Sequence, residues 1–348
     1  MKQKEISKTL FFGCLVAVLT LVSPLVTTWG AEPAKPIVLK ALRAYTWERN
    51  DCLVYREFID RVNKKGEGRI LIKDAGGSEV YPAMQQFEPL KLGTVDLLYT
   101  STGYIAGNYP EPTILMYQFG ATPDKLRSAG VFKRLDEIGR KEHGVSFFGL
   151  PWFANAHVWL NKPIKSLDEL KSRKLRSHPS YDPLIKGMEI PTVTVSFAEV
   201  YTALQRGMID GTVFPYTDLI VQGLHEVLKY RIDPPFWRAG WAILLMNAKS
   251  LDRLPEDLQK LLVNTIADLE KSVPGIYDEL AAKEAAGLRA AGVKTLKLTE
   301  AEWRKTQQVA WEKGLPEILK IVSPKYSQEM IQLVAPFYPP KGPYPAID

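Results

Sequence analysis

Residues 175–216 decide the fold, and they read LRSHPSYDPLIKGMEIPTVTVSFAEVYTALQRGMIDGTVFPY. Ser196 and Glu199 have the spacing of a capping box, which predicts the start of a helix. Apolar residues then repeat at helical spacing on one face, namely Phe197, Val200, Tyr201 and Leu204. Gly207 is placed to end this helix, after which residues 208–214 resume as an extended run. Arg176 ends a strand-like run upstream, so the stretch predicts strand, helix and strand with an arginine at a strand end.

Segments typical of strands and helices alternate from residue 37 onwards. We predict strands over 37–45, 69–74 and 95–100, separated by helices over 51–65 and 81–92. The predicted inward face of the first helix consists of Leu53, Phe58, Ile59 and Val62. Such alternation is typical of a parallel sheet with helices on both faces, whose ligands bind at the carboxyl ends of strands. The residues at those ends are Tyr45, Trp47, Ser78, Thr100, Ser101 and Tyr104.

The second half of the chain predicts another lobe. A strand over 144–152 carries the chain out of the first lobe, strands over 158–160 and 174–176 begin the second sheet, and the apolar run 242–246 returns. Ser166 with Glu169 and Thr299 with Glu302 predict two more helix starts. The helical region 256–291 contains Pro274, which we expect to break or kink it. At least two connections therefore join the lobes.

Three blocks of sequence, in this order, resemble one family. They are GGSEVYPAMQQFEPLKLGTVDLLYTS, then PIKSLDELK with KLRS and EVYTALQRGMIDG, and last SLDRLPEDLQKLL. The chain is similar to the substrate-binding subunit of tripartite ATP-independent periplasmic (TRAP) transporters, the DctP type. The resemblance implies a two-lobed α/β periplasmic binding protein fold with a hinge, parallel-type sheets flanked by helices, and a long helix across both lobes. We place lobe I at residues 31–152 with 241–280, and lobe II at 153–240 with 281–348.

The first 30 residues have the pattern of a signal peptide: three lysines, an apolar run over 10–26 and small residues at Gly30 and Ala31. The alternatives are a retained membrane anchor and a lipoprotein site at Cys14, although the apolar run continues well past that cysteine. Removing residues 1–30 leaves Cys52 as the one cysteine, so no internal disulfide can form. These features predict a periplasmic protein with a large core.

Length and charge narrow the function classes. At 348 residues, two domains are expected, and 46% hydrophobic with 24% charged residues is typical of a soluble globular protein. The net charge of +6 falls to about +4 without residues 1–30, which is too small and dispersed for a nucleic-acid partner. The four histidines lack metal-ligand spacing, and no nucleophile elbow, phosphate loop or dinucleotide fingerprint is present. We therefore predict no metal, no cofactor and no enzymatic activity.

The resemblance assigns Arg176 to a bidentate salt bridge with the carboxylate of a ligand, for which a planar guanidinium is well suited. A structural or surface arginine, like the neighbouring Arg173, is the alternative. Phe214 stands where the family commonly has an asparagine, and Asn155 where many relatives have a second arginine. Phe214 is expected to stack on a flat ligand, or else to be a core residue. The remaining candidate ligand contacts are Phe197, His178, Tyr104, Ser101, Trp47, Trp152 and Phe153.

We interpret the chain as a monomeric periplasmic receptor that closes two lobes around a small carboxylate and delivers it to the membrane permease subunits of a TRAP transporter. Because the predicted pocket has few charges and many rings, we expect an aromatic or otherwise apolar monocarboxylate. The alternatives are a secreted enzyme that uses the same cleft, and a ligand-sensing partner of a receptor. Binding without turnover would exclude the enzyme.

Overall fold

The computed structural model describes residues 35–117, 121–178, 181–195 and 199–337. In this part of the chain the strands are β1 (Ile37–Arg43), β2 (Ile70–Asp74), β3 (Leu97–Ser101), β4 (Val145–Leu160), β5 (Leu175–Ser177), β6 (Thr192–Thr194), β7 (Gly211–Pro215), β8 (Tyr230–Asp233), β9 (Trp237–Asn247) and β10 (Lys294–Lys297). The alternation predicted over residues 37–101 is therefore confirmed, with strand bounds that move by a few residues.

Helices cover the sheet on both sides. They are α1 (Cys52–Lys65), α2 (Phe87–Lys91), α3 (Thr102–Ile105), α4 (Pro123–Ser128), α5 (Val131–Ile138), α6 (Asp182–Gly187), α7 (Val200–Gln205), α8 (Ala248–Asp252), α9 (Glu256–Ala290), α10 (Glu300–Val309), α11 (Leu315–Ile321) and α12 (Pro324–Val334). Among the residues described, none of these helices is both long and apolar enough to cross a membrane.

The sheet has two halves that share their central strands. The first half has the order β2-β1-β3-β9-β4, in which β1 is parallel to both neighbours and β9 is antiparallel to β3 and β4. The second half continues as β4-β7-β5-β6, with β5 parallel to β6 and β7. At its side, β8 pairs with β4 and β10. The sheet is therefore mixed, because the two long central strands run antiparallel to each other.

Strand β4 corrects the prediction of separate strands over 144–152 and 158–160. It runs unbroken from Val145 to Leu160, and its register with β9 shifts near Gly149 and Trp152. Bulges insert residues into a strand without ending its pairing. The irregular sequence around Pro151 is therefore absorbed by bulges, and β4 extends through both halves of the sheet.

Helix α9 matches the helical region predicted over 256–291. It continues for 35 residues through Pro274, so of the two predicted outcomes, a break or a kink, the break does not occur. A proline inside a helix removes one hydrogen bond and costs about 3 kcal/mol, so other contacts must compensate. Leu269, Val273 and Tyr277 are buried on its inner face, which packs against β4. This packing spans both sides of Pro274 and keeps the helix continuous.

Local predictions had mixed outcomes. The capping box of Thr299 and Glu302 is present, whereas Ser166 makes no side-chain cap hydrogen bond. In α1, Phe58, Ile59 and Val62 are buried as predicted, but Leu53 is 40% exposed and Val54 and Tyr55 are buried instead. The predicted helix over 81–92 is a short 3-10 turn followed by α2.

Candidate functional site

The turn after α7 fixes the strand that carries Arg176. Gly207 has a φ of 67°, a left-handed conformation that favours glycine and ends the helix. Gly211 begins β7, where a Cβ would lie 2.2 Å from the carbonyl oxygen of Trp159 in β4. Between them, Asp210 accepts a hydrogen bond from the Lys174 amide through Oδ2 at 2.9 Å and donates its own amide to the Lys174 carbonyl at 2.7 Å. These contacts set the position of β5 and of its arginine.

Arg176 is buried, at 4% exposed, and neutral oxygens orient its guanidinium. Its Nε donates to the Val195 carbonyl at 3.2 Å, and its Nη1 donates to the Tyr181 hydroxyl at 3.0 Å. The Tyr181 hydroxyl donates in turn to the Val213 carbonyl at 2.8 Å. The guanidinium is thus held between β6, α6 and β7 by hydrogen bonds alone.

Arg176 has no carboxylate partner among the residues that the structure describes. The internal segments outside the described residues, 118–120, 179–180 and 196–198, contain no Asp or Glu in the sequence. Burying an unpaired charge costs several kcal/mol, so buried charges in proteins are normally paired. Among the described residues, the arrangement is therefore an oriented cation without a carboxylate partner.

A cluster of rings surrounds this cation and joins the two halves of the sheet. Tyr104, in α3 of the first half, lies 4.9 Å from His178 of the second half, and Tyr45 lies 6.3 Å from Tyr104, both between ring centroids. His178 is in turn 5.5 Å from Tyr181. Burial lowers the pKa of His178 well below its usual value, and the positive charges of Arg176 and Arg49 lower it further. The imidazole is therefore neutral at physiological pH.

Arg49 is a residue of this region that the sequence analysis missed. Its guanidinium carbon lies 5.0 Å from the ring centroid of Tyr45 and 6.0 Å from that of Phe214. Its charge also lowers the pKa of Tyr104 and of Tyr181, although burial raises both values overall. Two carboxylates neutralise it, Asp51 at 2.5 Å and Asp218 at 3.2 Å. The signal in the sequence is the Arg-x-Asp spacing directly before α1.

Three other predicted residues lie close to these groups or to helix α9. Ser101 caps α3 by accepting from the Gly103 amide at 3.2 Å, and it hydrogen bonds with Tyr45. Phe214 is buried in β7 opposite His157 of β4. Asn155 is buried in β4, and its backbone N–H donates to the Tyr277 hydroxyl of α9 at 3.1 Å. Phe214 therefore faces Arg49 across the two halves, whereas Asn155 contacts the long helix.

The predicted tryptophans have packing partners of their own. Trp47 stacks on Tyr55 with centroids 5.9 Å apart, and Arg43 lies 4.8 Å from its ring. Trp152 is fully buried 6.2 Å from Tyr277 of α9. Phe197 and the side chain of Phe153 lie outside the described residues. The structure thus brings Arg176, His178 and Tyr104 together and places Trp47 and Trp152 in separate contacts.

Across the described ranges, no group of three or more His, Cys, Asp or Glu side chains is arranged to hold a metal ion. Cys52 is buried in α1, and burial raises the pKa of its thiol far above the usual value.

Comparison with known proteins agrees with this geometry. The family model of bacterial extracellular solute-binding proteins, family 7 (DctP), matches residues 53–315. The chain belongs to this family. Members of family 7 are solute-binding receptors of TRAP transporters and not enzymes, and they are periplasmic.

Relatives cover most of the chain at low identity. The monocarboxylate 2-oxoacid-binding periplasmic protein of Nostoc sp. is 24% identical over 260 residues, 72% of this chain and 71% of that protein. The C4-dicarboxylate-binding periplasmic protein DctP of Rhodobacter capsulatus is 24% identical over 308 residues, 86% and 91% of the two chains. A TRAP periplasmic solute-binding protein of Desulfovibrio salexigens, solved with bound orotic acid, superimposes with a TM-score of 0.73 at 20% identity, covering 86% of this chain and 98% of that one. The two-lobed α/β fold of these receptors is the fold of this family 7 chain.

Proposed function

We propose that this family 7 protein binds a monocarboxylic acid with an aromatic or apolar body, and that Arg176 pairs with its carboxylate. The observation that carries the proposal is a buried, oriented guanidinium without a carboxylate partner among the described residues. A ligand carboxylate would supply the missing charge. Two parallel hydrogen bonds from a planar guanidinium also match a carboxylate better than any other anion of that size.

The rings near Arg176 support an apolar ligand body. Tyr104, His178 and Tyr181 follow one another at centroid distances of 4.9 and 5.5 Å, and His178 is neutral. Ring stacking contributes about 0.5–1.5 kcal/mol per pair beyond the burial of area. A second carboxylate on the ligand would need a second cation, but Arg49 is already paired with Asp51 and Asp218. These surroundings favour one carboxylate over two.

The relatives all point to organic acids as ligands but differ in the number of carboxylates that those ligands carry. The Nostoc relative is named for monocarboxylate 2-oxoacids, the Desulfovibrio receptor was solved with orotic acid, and the Rhodobacter relative is named for C4-dicarboxylates. Two of these ligand classes carry a single carboxylate. We therefore place this chain with the monocarboxylate binders.

The rest of the proposal concerns transport. The protein is exported by residues 1–30, acts as a monomer, and delivers its ligand to the membrane permease subunits of a TRAP transporter. Lobe I consists of residues 31–152 with 241–280, and lobe II of residues 153–240 with 281–348. The strands β4 and β9 and helix α9, which extend through both halves of the sheet, are the connections about which these lobes close.

A thermal-shift panel tests the ligand class. Only the folded protein binds ligand, so binding raises the melting temperature. Phenylpyruvate, phenylacetate and benzoate should raise it more than succinate, malate or glucuronate. A largest shift with succinate or glucuronate would contradict the monocarboxylate proposal and leave the receptor function intact. Turnover of any of these acids, followed by mass spectrometry, would favour a secreted enzyme instead.

A further inference from the structure

The loop between β1 and α1 makes an ion pair and hydrogen bonds with the turn that follows β7. In the loop, Arg49 Nε donates to both carboxylate oxygens of Asp51 at 3.1 Å, which fixes the plane of the guanidinium. The same guanidinium reaches Asp218 Oδ2 at 3.2 Å through Nη2. Arg49 is 6% exposed and Asp218 is fully buried. One arginine therefore bridges two carboxylates that are 167 positions apart in the sequence.

The neighbouring residue makes the same connection with uncharged groups. The Asn50 backbone N–H donates to Asp218 Oδ1 at 3.0 Å, and the Asn50 side-chain amide donates to the Thr217 carbonyl. Arg49, Asn50 and Asp218 thus form one cluster, which we call the closure lock. Both oxygens of Asp218 are engaged by the loop, one through an ion pair and one through a hydrogen bond.

The two sides of the closure lock belong to different halves of the sheet. Strand β1 lies between β2 and β3 in the first half, and β7 lies between β4 and β5 in the second. A rotation that separated the halves would break the ion pair and both hydrogen bonds of Asn50 together. These contacts therefore exist only while the halves are closed on each other.

Arg49 also contacts the rings of the proposed ligand site. It lies over Tyr45, which belongs to the first half, and over Phe214, which belongs to the second. A change in the position of either ring would therefore move the Arg49 guanidinium and change its ion pair with Asp218. This contact couples occupation of the cleft to the closure lock.

We propose that Arg49 is a positioning residue whose ion pair with Asp218 holds the halves closed over the bound acid and sets how slowly the acid leaves. The inference rests on the proposed function, because it takes the ring cluster next to Arg49 as the ligand site. It goes beyond that function by assigning ligand release to residues that do not contact the carboxylate.

Stopped-flow tryptophan fluorescence with phenylpyruvate is the kinetic test, since the chain contains eight tryptophans. Asp218→Asn should raise the dissociation rate about tenfold and change the association rate less than threefold, because the ion pair forms after the ligand enters. Asn50→Ala removes only the hydrogen bond to Thr217 and should raise dissociation about threefold; it serves if Asp218→Asn does not fold. Unchanged dissociation in both variants would overturn the proposal.

Asp96→Asn is the matched control. Asp96 is a buried carboxylate paired with Arg253 at 2.8 Å, and this pair does not involve the closure lock. Its loss should lower stability and leave the dissociation rate within twofold of the wild type. A release rate that rises equally in Asp96→Asn and Asp218→Asn would show a general effect of lost stability and would contradict a specific lock.

A second measurement needs no ligand, so it separates this inference from the proposed function. Spin labels on Leu92→Cys and Met208→Cys, at positions that are 76% and 55% exposed in different halves, report the separation of the halves in the protein without residues 1–30, whose native Cys52 is fully buried. Asp218→Asn should move the distance distribution of the ligand-free protein to longer values. An unchanged distribution would overturn the lock even if phenylpyruvate binds, and a shift would support it even if phenylpyruvate does not.

Discussion

Arg176 and Arg49 are buried to nearly the same degree, at 4% and 6% exposed, but their surroundings differ. Arg176 donates to a carbonyl and a hydroxyl, both uncharged. Arg49 is bound by Asp51 and Asp218. A buried cation whose charge is already matched contributes to structure, whereas we propose that a buried cation with neutral partners receives the anion of a ligand. The charges around a buried arginine therefore indicate its role better than its degree of burial does.

The largest effect should come from removing the matched cation. Arg49→Met leaves two buried carboxylates without their partner, so the free energy of unfolding should fall by about 3 kcal/mol in urea titrations of the ligand-free protein. Arg69→Met is the control, because the pair of Arg69 with Asp257 is more than half exposed and solvent screening should leave it little effect on stability. Equal losses in the two variants would remove the distinction between the arginines.

Removing Arg176 should reduce ligand affinity more than it reduces the stability of the ligand-free protein. Arg176→Met should weaken phenylpyruvate binding by at least ~2 kcal/mol in calorimetry, because the ligand carboxylate becomes buried without a partner. The ligand-free protein should lose less stability than it does in Arg49→Met, since an unpaired buried charge is relieved. Arg176→Lys should also bind weakly, because an ammonium group does not reproduce two parallel hydrogen bonds. Unchanged affinity in both variants would exclude Arg176 from the site.

The region of Arg49 should also differ in its response to pH. Burial raises the pKa of Glu284, in α9, from 4.5 to about 7, against a hydrogen bond from the Ile220 amide and with a contribution from the charge of Asp218. The folded protein therefore keeps a proton that the unfolded chain releases near pH 4.5. The stability contributed by Glu284 is complete below that pH and is lost as the pH rises through 7.

Glu284→Gln isolates this contribution. The free energy of unfolding of the wild type, relative to the variant, should fall by about 2 kcal/mol between pH 5 and pH 8. Urea titrations at both pH values measure the difference. A difference that does not change with pH would mean that Glu284 titrates normally.

The smallest effect should come from the residue that orients Arg176. Tyr181→Phe removes the hydroxyl that accepts from Arg176 and donates to Val213, so phenylpyruvate affinity should fall by about 1 kcal/mol. Tyr201→Phe, which removes an exposed hydrogen bond to Glu226, is the matched control and should bind normally. Loss of affinity in the control alone would contradict the orienting role of Tyr181.

Sequence patterns predicted the elements and their order well because each depends on neighbours in the chain. Alternating apolar segments gave the parallel strands β1, β2 and β3, and the spacing of Thr299 and Glu302 gave a helix start. The prediction of two separate strands was wrong because contacts between distant segments decide: β4 stays one strand because β9 pairs along it. Packing on β4 likewise keeps α9 unbroken at Pro274.

The candidate site could be proposed from the sequence only where the family resemblance covers it. Arg176 lies in the same stretch as the turn that positions its strand, His178 follows two residues later, and Tyr104 follows a strand end; their contact with a ligand stays a prediction. Arg49 was missed because its partner Asp218 is far away in the chain and belongs to the other half of the sheet. Charge matching between distant segments leaves no periodic signal in a single sequence, so only the folded structure reveals it.

The proline of helix α9 has a mechanical consequence. At 1.5 Å per residue the helix is about 52 Å long, and Pro274 leaves the carbonyl of Glu270 without its helical hydrogen bond. Glu270 is held by Arg127, and Tyr277 and Glu284 by the backbones of Asn155 and Ile220. The missing hydrogen bond therefore lies between the attachment at Glu270 and the two attachments at Tyr277 and Glu284. Because a helix bends most easily where a hydrogen bond is absent, we expect any bending of α9 during lobe movement to be concentrated at Pro274.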